Sequence, residues 1–183
     1  MTTEDVLKIK QAYAYAEKMH SGQKRKGGEP YIIHPAAVAD YVYCKGCGRD
    51  YVITALFHDL LEDTAATESE IERLGGKNVL EAVKLLTKGK NYNPDEYIKG
   101  VKSNKIAFAV KNADRLNNVN SAYCCSEEFK RRYAEETIDY YLDFSPEMPL
   151  AVKKLVNSLI APLDEKRIKK LEAALKKTAD QKQ

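Results

Sequence analysis

The sequence predicts an all-α, many-helix fold built as a single domain, and three observations carry that expectation. Apolar residues recur close to the 3.6-residue helical period, helix start and stop signals punctuate the chain at short intervals, and strand-like alternation is scarce. No internal repeat or low-complexity segment interrupts this pattern. Along residues 4–20, Val6, Ile9, Ala12, Tyr13 and Ala16 form the first apolar stripe. The run "SGQKRKGGEP", with three glycines and a proline, breaks it and reads as a loop. A second helix is expected from Pro35, a good first-turn residue, to Cys44. After the break at "GCGRD", residues 50–63 read as one continuous helix carrying "ALFHDLLEDT".

Thr67 with Glu70 forms a capping box ahead of "SEIERLGG", whose paired glycines are a stop signal. Helices follow at 77–87, 94–102 and 104–119, the second opened by Pro94 after Asn93. Three more are expected at 126–144, 147–160 and 164–179, divided by Ser-Pro and Ala-Pro-Leu-Asp breaks, with "KKTADQKQ" as a frayed tail.

Composition narrows the function classes. At 183 residues the chain is long enough for a real core, and 44% hydrophobic with 31% charged residues suits a soluble globular domain. A net charge of +3 is too mild for a protein that coats nucleic acid. No apolar run approaches the ~20 residues that span a bilayer, and no signal-peptide core stands at the start, so no membrane association and a cytoplasmic location are expected. The "CKGC" pair, Cys44 and Cys47, has no second ligand pair at zinc-site spacing and reads as a turn near a helix end. Adjacent Cys124 and Cys125 do not make a normal staple.

The chemistry-bearing residues cluster in three places. His34 lies in "YIIHP", at a loop-to-helix junction; His58 and Asp59 sit together in the central apolar helix; Asp114 is isolated in "VKNADRLNNV". Carboxylates are expensive to bury unless something positive neutralises them, either a metal ion or a salt-bridge partner. Two imidazoles with two carboxylates form a mixed donor set suited to Mn²⁺, Fe²⁺ or Zn²⁺ rather than Ca²⁺. Glu62 and Asp63 lie one turn beyond the doublet, where they could orient and deprotonate a water. Asn118 and Ser121 continue the Asp114 stripe at i+4 and i+7, while Lys111 and Arg115 read as surface charges or ion-pair partners. Lys24, Arg25 and Lys26 read as a solvated charge run, with a second role for Arg25 in gripping phosphate or stacking on a base.

Taken together these residues resemble the HD-domain metal-dependent phosphohydrolases. More narrowly, "HSGQKRKGGEPYIIHPAAVA", "TALFHDLLEDT" and "VKNADRLNNV" resemble, in order and spacing, the hydrolase domain of the Rel/SpoT family. The resemblance covers about residues 5–121 and leaves the helices at about 126–179 without a counterpart role. It implies a single HD-type domain over 1–183, and a stand-alone hydrolase that removes the 3′-pyrophosphate of (p)ppGpp to give GDP or GTP. It implies His34, His58, Asp59 and Asp114 as ligands of one Mn²⁺, with Fe²⁺ or Zn²⁺ as alternatives, and Glu62 and Asp63 as the water-activating pair. Arg25, Lys26, Asn118 and Ser121 fall at its substrate-binding positions. Gly27 stands where many relatives have serine, and Asn120 where an arginine is frequent. Those departures motivate one alternative, an HD phosphohydrolase for another nucleotide such as NADPH or a deoxynucleotide. A third reading, a non-catalytic nucleotide sensor, is opposed by the retention of every ligand and of Glu62 and Asp63.

Overall fold

The computed structural model describes residues 1–180, and among these every regular element is a helix, with one isolated bridge pairing Lys24 and Pro30. The helices are α1 (Thr3–Met19), α2 (Ile33–Cys44), α3 (Arg49–Phe57), α4 (Leu60–Asp63), α5 (Glu68–Gly75), α6 (Lys77–Leu86), α7 (Pro94–Ser103), α8 (Lys105–Ser121), α9 (Glu127–Tyr140), α10 (Met148–Asn157) and α11 (Glu165–Asp180). A single 3₁₀ turn, Ala122–Cys124, follows α8. No helix among the described residues is long and apolar enough to cross a membrane. Two compact units result, Met1–Asp114 and Arg115–Gln183, with the boundary inside α8.

In the first unit α3 is the centre, packed against α1, α2, α5 and α6. Val52 to Phe57 are all buried, which explains why this stretch is apolar on every side rather than striped. Phe57 is fully buried and meets Tyr15 edge-on at 5.8 Å. Truncating such a ring costs about 3–5 kcal/mol. Tyr15 also donates to Glu70 at 2.8 Å, tying α1 to α5.

Local signals set the helix ends. Thr67 and Glu70 make the expected capping box, and Thr2 with Asp5 makes another at the start of α1. Asn93 caps α7 by accepting from Asp95 and Glu96, with Pro94 in the first turn. Gly76, at φ +90°, turns the chain between α5 and α6, a conformation that L side chains rarely adopt. Its neighbour Gly75 has no room for a side chain, because a Cβ there would lie 2.6 Å from Val79 Cγ1. Cys44 closes α2 and Cys47 follows the Gly46 turn, both as free thiols.

The continuous helix expected over 50–63 is interrupted, with α3 ending at Phe57 and α4 starting at Leu60. His58 Nδ1 hydrogen-bonds the Ala55 carbonyl at 2.7 Å, approaching the oxygen that a continuing helix would offer to the Asp59 N–H. Asp59 relaxes to φ −100°, ψ −3°. The second helix begins at Ile33 rather than Pro35, and α9 and α10 end at Tyr140 and Asn157, short of the expected limits. The tail expected to fray is helical through Asp180, and its last three residues lie outside those described.

In the second unit α9, α10 and α11 pack on one another. Arg115, the first residue of that unit, is 2% exposed and lies between the rings of Tyr133 and Tyr141, its guanidinium 4.0 and 4.2 Å from their centroids. Of the two readings its charge allowed, ion pairing is the one realised, with Glu136 at 3.1 Å.

Candidate metal centre

Four side chains from three separate parts of the first unit converge. His34 comes from the first turn of α2, His58 and Asp59 from the break between α3 and α4, and Asp114 from α8. His34 Nε2 lies 3.1 Å from Asp114 Oδ1 and 3.8 Å from Asp59 Oδ2. His58 Nε2 lies 3.1 Å from Asp59 Oδ2 and 3.7 Å from Asp114 Oδ1. The donor atoms of His34, His58 and Asp59 are all within 4.8 Å of one another.

The fit to a cation rests on one atom in particular. His58 Nε2 is buried beside two carboxylate oxygens, yet no hydrogen bond is directed along it. Its other nitrogen is already engaged by the Ala55 carbonyl, which sets the ring's orientation. Lys111 plays the corresponding part for Asp114, holding Oδ2 at 2.7 Å while Oδ1 faces the imidazoles. Its side chain is only 12% exposed, so Lys111 is an ion-pair partner rather than a surface charge. Two nitrogens and two carboxylate oxygens in this arrangement fit a divalent transition ion.

The charges within the cage act strongly on one another. Burial opposes charge on His58, but Asp59 and Asp114 outweigh it and push its pKa up to about 10. Burial opposes charge on Asp59 as well, and His58 beside it holds the carboxyl below its usual range. Asp114 is likewise desolvated and is held well below that range, mainly by Lys111. In protein stripped of metal by chelator, the His58 contribution to stability is full below about pH 6.5. It is then lost as pH rises towards 10, whereas the two aspartates lose theirs as pH falls below about 3.8. Melting curves in EDTA are expected to fall between pH 7 and 10, with a steeper slope than for His58→Asn; equal slopes would refute the assignment.

The water-handling candidates sit on α4. Asp63 has its pKa raised by partial desolvation and by the charge of Asp59. The Glu62 carboxylate accepts the Lys88 backbone N–H at 3.0 Å. Arg25 and Lys26 lie on the turn after Lys24, closed by Arg25 N–H donating to the Glu29 carbonyl at 2.8 Å and by Gly28 at φ +95°. A Cβ at Gly27 would collide with the Glu29 carboxylate, so a serine here requires that side chain to move. Asn118 and Ser121 lie further along α8, in the second unit.

Tyr31 was not among the residues singled out from sequence. Its hydroxyl donates to Asp59 Oδ2 at 2.7 Å and stands 3.4 Å from Asp63 Oδ2. Burial, then the Asp59 charge, push its pKa far above the normal range, so the hydroxyl remains a donor. The one legible signal was its position three residues before His34, which puts a polar tip near a candidate ligand.

Residues 12–146 match the family described as HD domain. A GTP pyrophosphokinase of Myxococcus xanthus is 37% identical over 147 residues, 73% of this chain and 19% of that protein. A guanosine-3′,5′-bis(diphosphate) 3′-pyrophosphohydrolase of Aquifex aeolicus is 38% identical over 141 residues, 73% of this chain and 20% of its own length. The bifunctional (p)ppGpp synthase/hydrolase SpoT of Escherichia coli is 31% identical over 173 residues, 88% of this chain and 24% of that protein. The chain thus spans about a fifth to a quarter of these relatives. A solved structure described as a metazoan ortholog of SpoT that hydrolyzes ppGpp superposes with a TM-score of 0.62. It covers 96% of this chain and 95% of its own at 23% identity, which speaks for the fold. With the family match running through all four converging side chains, the chain belongs to the HD domain family.

Proposed function

We propose that this protein is a metal-dependent pyrophosphohydrolase that removes the 3′-pyrophosphate of (p)ppGpp, leaving GDP or GTP. The observation that carries this is the convergence of His34, His58, Asp59 and Asp114 around a buried, undirected imidazole nitrogen, with an elevated-pKa carboxyl one turn away. The names borne by the Aquifex and Escherichia coli relatives support the substrate. The four side chains would hold one divalent ion, with Mn²⁺ the first candidate. When bound, such an ion supplies Lewis acidity towards phosphoryl oxygens and lowers the pKa of a coordinated water.

The chain's own residues do the rest. Asp63 accepts the proton of the attacking water, a task that its raised pKa favours. Glu62, fixed by the Lys88 N–H, orients that water from the same turn. The water oxygen bonds to the phosphorus attached to the 3′-oxygen, the bond between them breaks, and the ribose oxygen takes a proton. Arg25 stacks its planar guanidinium on the base, Lys26 adds a point charge, and Asn118 and Ser121 contact the nucleotide.

Purified protein with Mn²⁺ is expected to release pyrophosphate from ppGpp, and EDTA to stop it. Offering NADPH and deoxynucleoside triphosphates side by side, with kcat/KM for each, tests the substrate. A preference for either over ppGpp, or tight ppGpp binding without turnover in metal-replete protein, would overturn the proposal. Fe²⁺ and Zn²⁺ in the same assay test the ion.

A further inference from the structure

Behind the cage stands a group of polar side chains to which the hydrolytic scheme gives no part. His20, at the end of α1, is 3% exposed, and its ring lies on that of Tyr31, with centroids 4.6 Å apart. Gln23 Nε2 donates to the Asp63 carbonyl at 2.8 Å, so Gln23 Oε1 is the end that faces His20 Nδ1, also at 2.8 Å. An amide oxygen accepts only, so His20 carries its proton on Nδ1. His20 Nε2 is then left buried with no hydrogen-bond partner. A folded chain seldom tolerates such an atom unless the ring is kept for something else.

The use of that ring is visible in what it backs. Tyr31 donates to Asp59 Oδ2, the same oxygen that faces both imidazole nitrogens of the cage. The Tyr31 N–H in turn donates to the Gln23 carbonyl at 3.1 Å, so Gln23 and Tyr31 form the paired stem of the basic turn. That stem grips the segment 59–63 twice, at the Asp59 carboxylate through Tyr31 and at the Asp63 backbone through Gln23.

We infer that Tyr31, Gln23 and His20 form a positioning clamp: Tyr31 orients the Asp59 carboxylate for the metal, Gln23 fixes the reach of Asp63, and His20 is the flat wall that holds the Tyr31 ring. The clamp rests on the proposed function for its catalytic half, and on the cage alone for its metal half. Outer partners of this kind typically change metal affinity ~10–100-fold when removed.

The test uses the full chain and titrates it with Mn²⁺ by calorimetry, alongside melting of the chelator-treated protein. Tyr31→Phe keeps the ring against His20 and removes the hydroxyl. It is expected to weaken Mn²⁺ binding by ~10-fold or more, with the metal-free melting temperature unchanged. His20→Phe, which keeps a flat wall, should alter affinity less. Gln23→Leu should leave Mn²⁺ affinity near wild type and lower kcat on ppGpp with KM little changed. Wild-type Mn²⁺ affinity in Tyr31→Phe overturns the inference, as does a lowered melting temperature with unaltered affinity, which is a merely structural role. Absence of Mn²⁺ binding in the wild type overturns it too. Weakened Mn²⁺ binding in Tyr31→Phe, with no ppGpp turnover even by the wild type, upholds the metal half and defeats the proposed function.

Discussion

Asp59→Ala is expected to abolish stoichiometric binding of divalent cations and to reduce ppGpp hydrolysis to background while the protein stays folded. The reason is the density of jobs on one carboxylate. Asp59 Oδ2 is 3.1 Å from His58 Nε2, 3.8 Å from His34 Nε2 and 2.7 Å from the Tyr31 hydroxyl. Removing it takes away a negative donor and the acceptor of Tyr31 together, so the loss should exceed the ~10–100-fold typical of an outer partner. Folding should survive, because the side chain is 21% exposed and the apolar residues that seat α3 are untouched. Asp59→Asn separates the two effects: it can still accept from Tyr31 but lacks the charge. Calorimetric titration with Mn²⁺, circular dichroism and pyrophosphate release read the three consequences. Wild-type metal stoichiometry in the alanine variant would remove Asp59 from the cage.

The second large effect is structural. Arg115→Ala is expected to destabilise the protein by about 1.5–3 kcal/mol, the range for a lost hydrogen bond to a charged group, with the lost packing of its side chain adding to that. Glu136, left behind, is half-buried and stays hydrated. For a chain of this size each kcal/mol lowers the melting temperature by roughly 2–4 °C. Arg115 Nε donates to Thr137 Oγ1 at 3.0 Å, and that hydroxyl donates on to the Tyr133 carbonyl at 2.6 Å. Glu136 pairs with the guanidinium, and Tyr133 and Tyr141 pack against it. Burial works against the charge, but these neighbours outweigh it and raise the arginine's pKa further. Arg115→Lys should recover only part of the loss, since an ammonium cannot fill a planar slot between two rings. A thermal scan in which Arg115→Ala melts with the wild type would refute this account.

Much of the candidate site was legible because its chemistry is local. A helix-start signal, an apolar period and a residue type are enough to mark His34, His58, Asp59 and Asp114 as costly residues in apolar surroundings. The Thr67–Glu70 capping box, the Asn93-Pro94 start and the Gly75-Gly76 stop were legible for the same reason: each is decided within four residues. The break at His58 was not, although its cause is also local. Period and propensity both favour continuing the helix, and nothing in the letters says that an imidazole will engage the Ala55 carbonyl.

What the sequence left open at Lys111 and Arg115, and missed at Tyr31 and Gln23, was which partner each side chain meets, at i+3 for Lys111 and far along the chain for the others. Lys111 and Arg115 are four apart on one helix and looked alike as charges. Lys111 holds Asp114, and Arg115 packs between tyrosines 18 and 26 residues later in the chain. Tyr31 and Gln23 reach 28 and 40 residues along the chain to Asp59 and Asp63. The sequence by itself determined the helical class, the donor types and their order. Tertiary structure alone decided which oxygen of each carboxylate faces the imidazoles, which nitrogen of His58 faces the carboxylates, and which hydroxyl stands behind them. Spacing along a helix limits directions to a face, whereas coordination and hydrogen bonding require atoms from separate elements to meet within about 3 Å, and only packing supplies that.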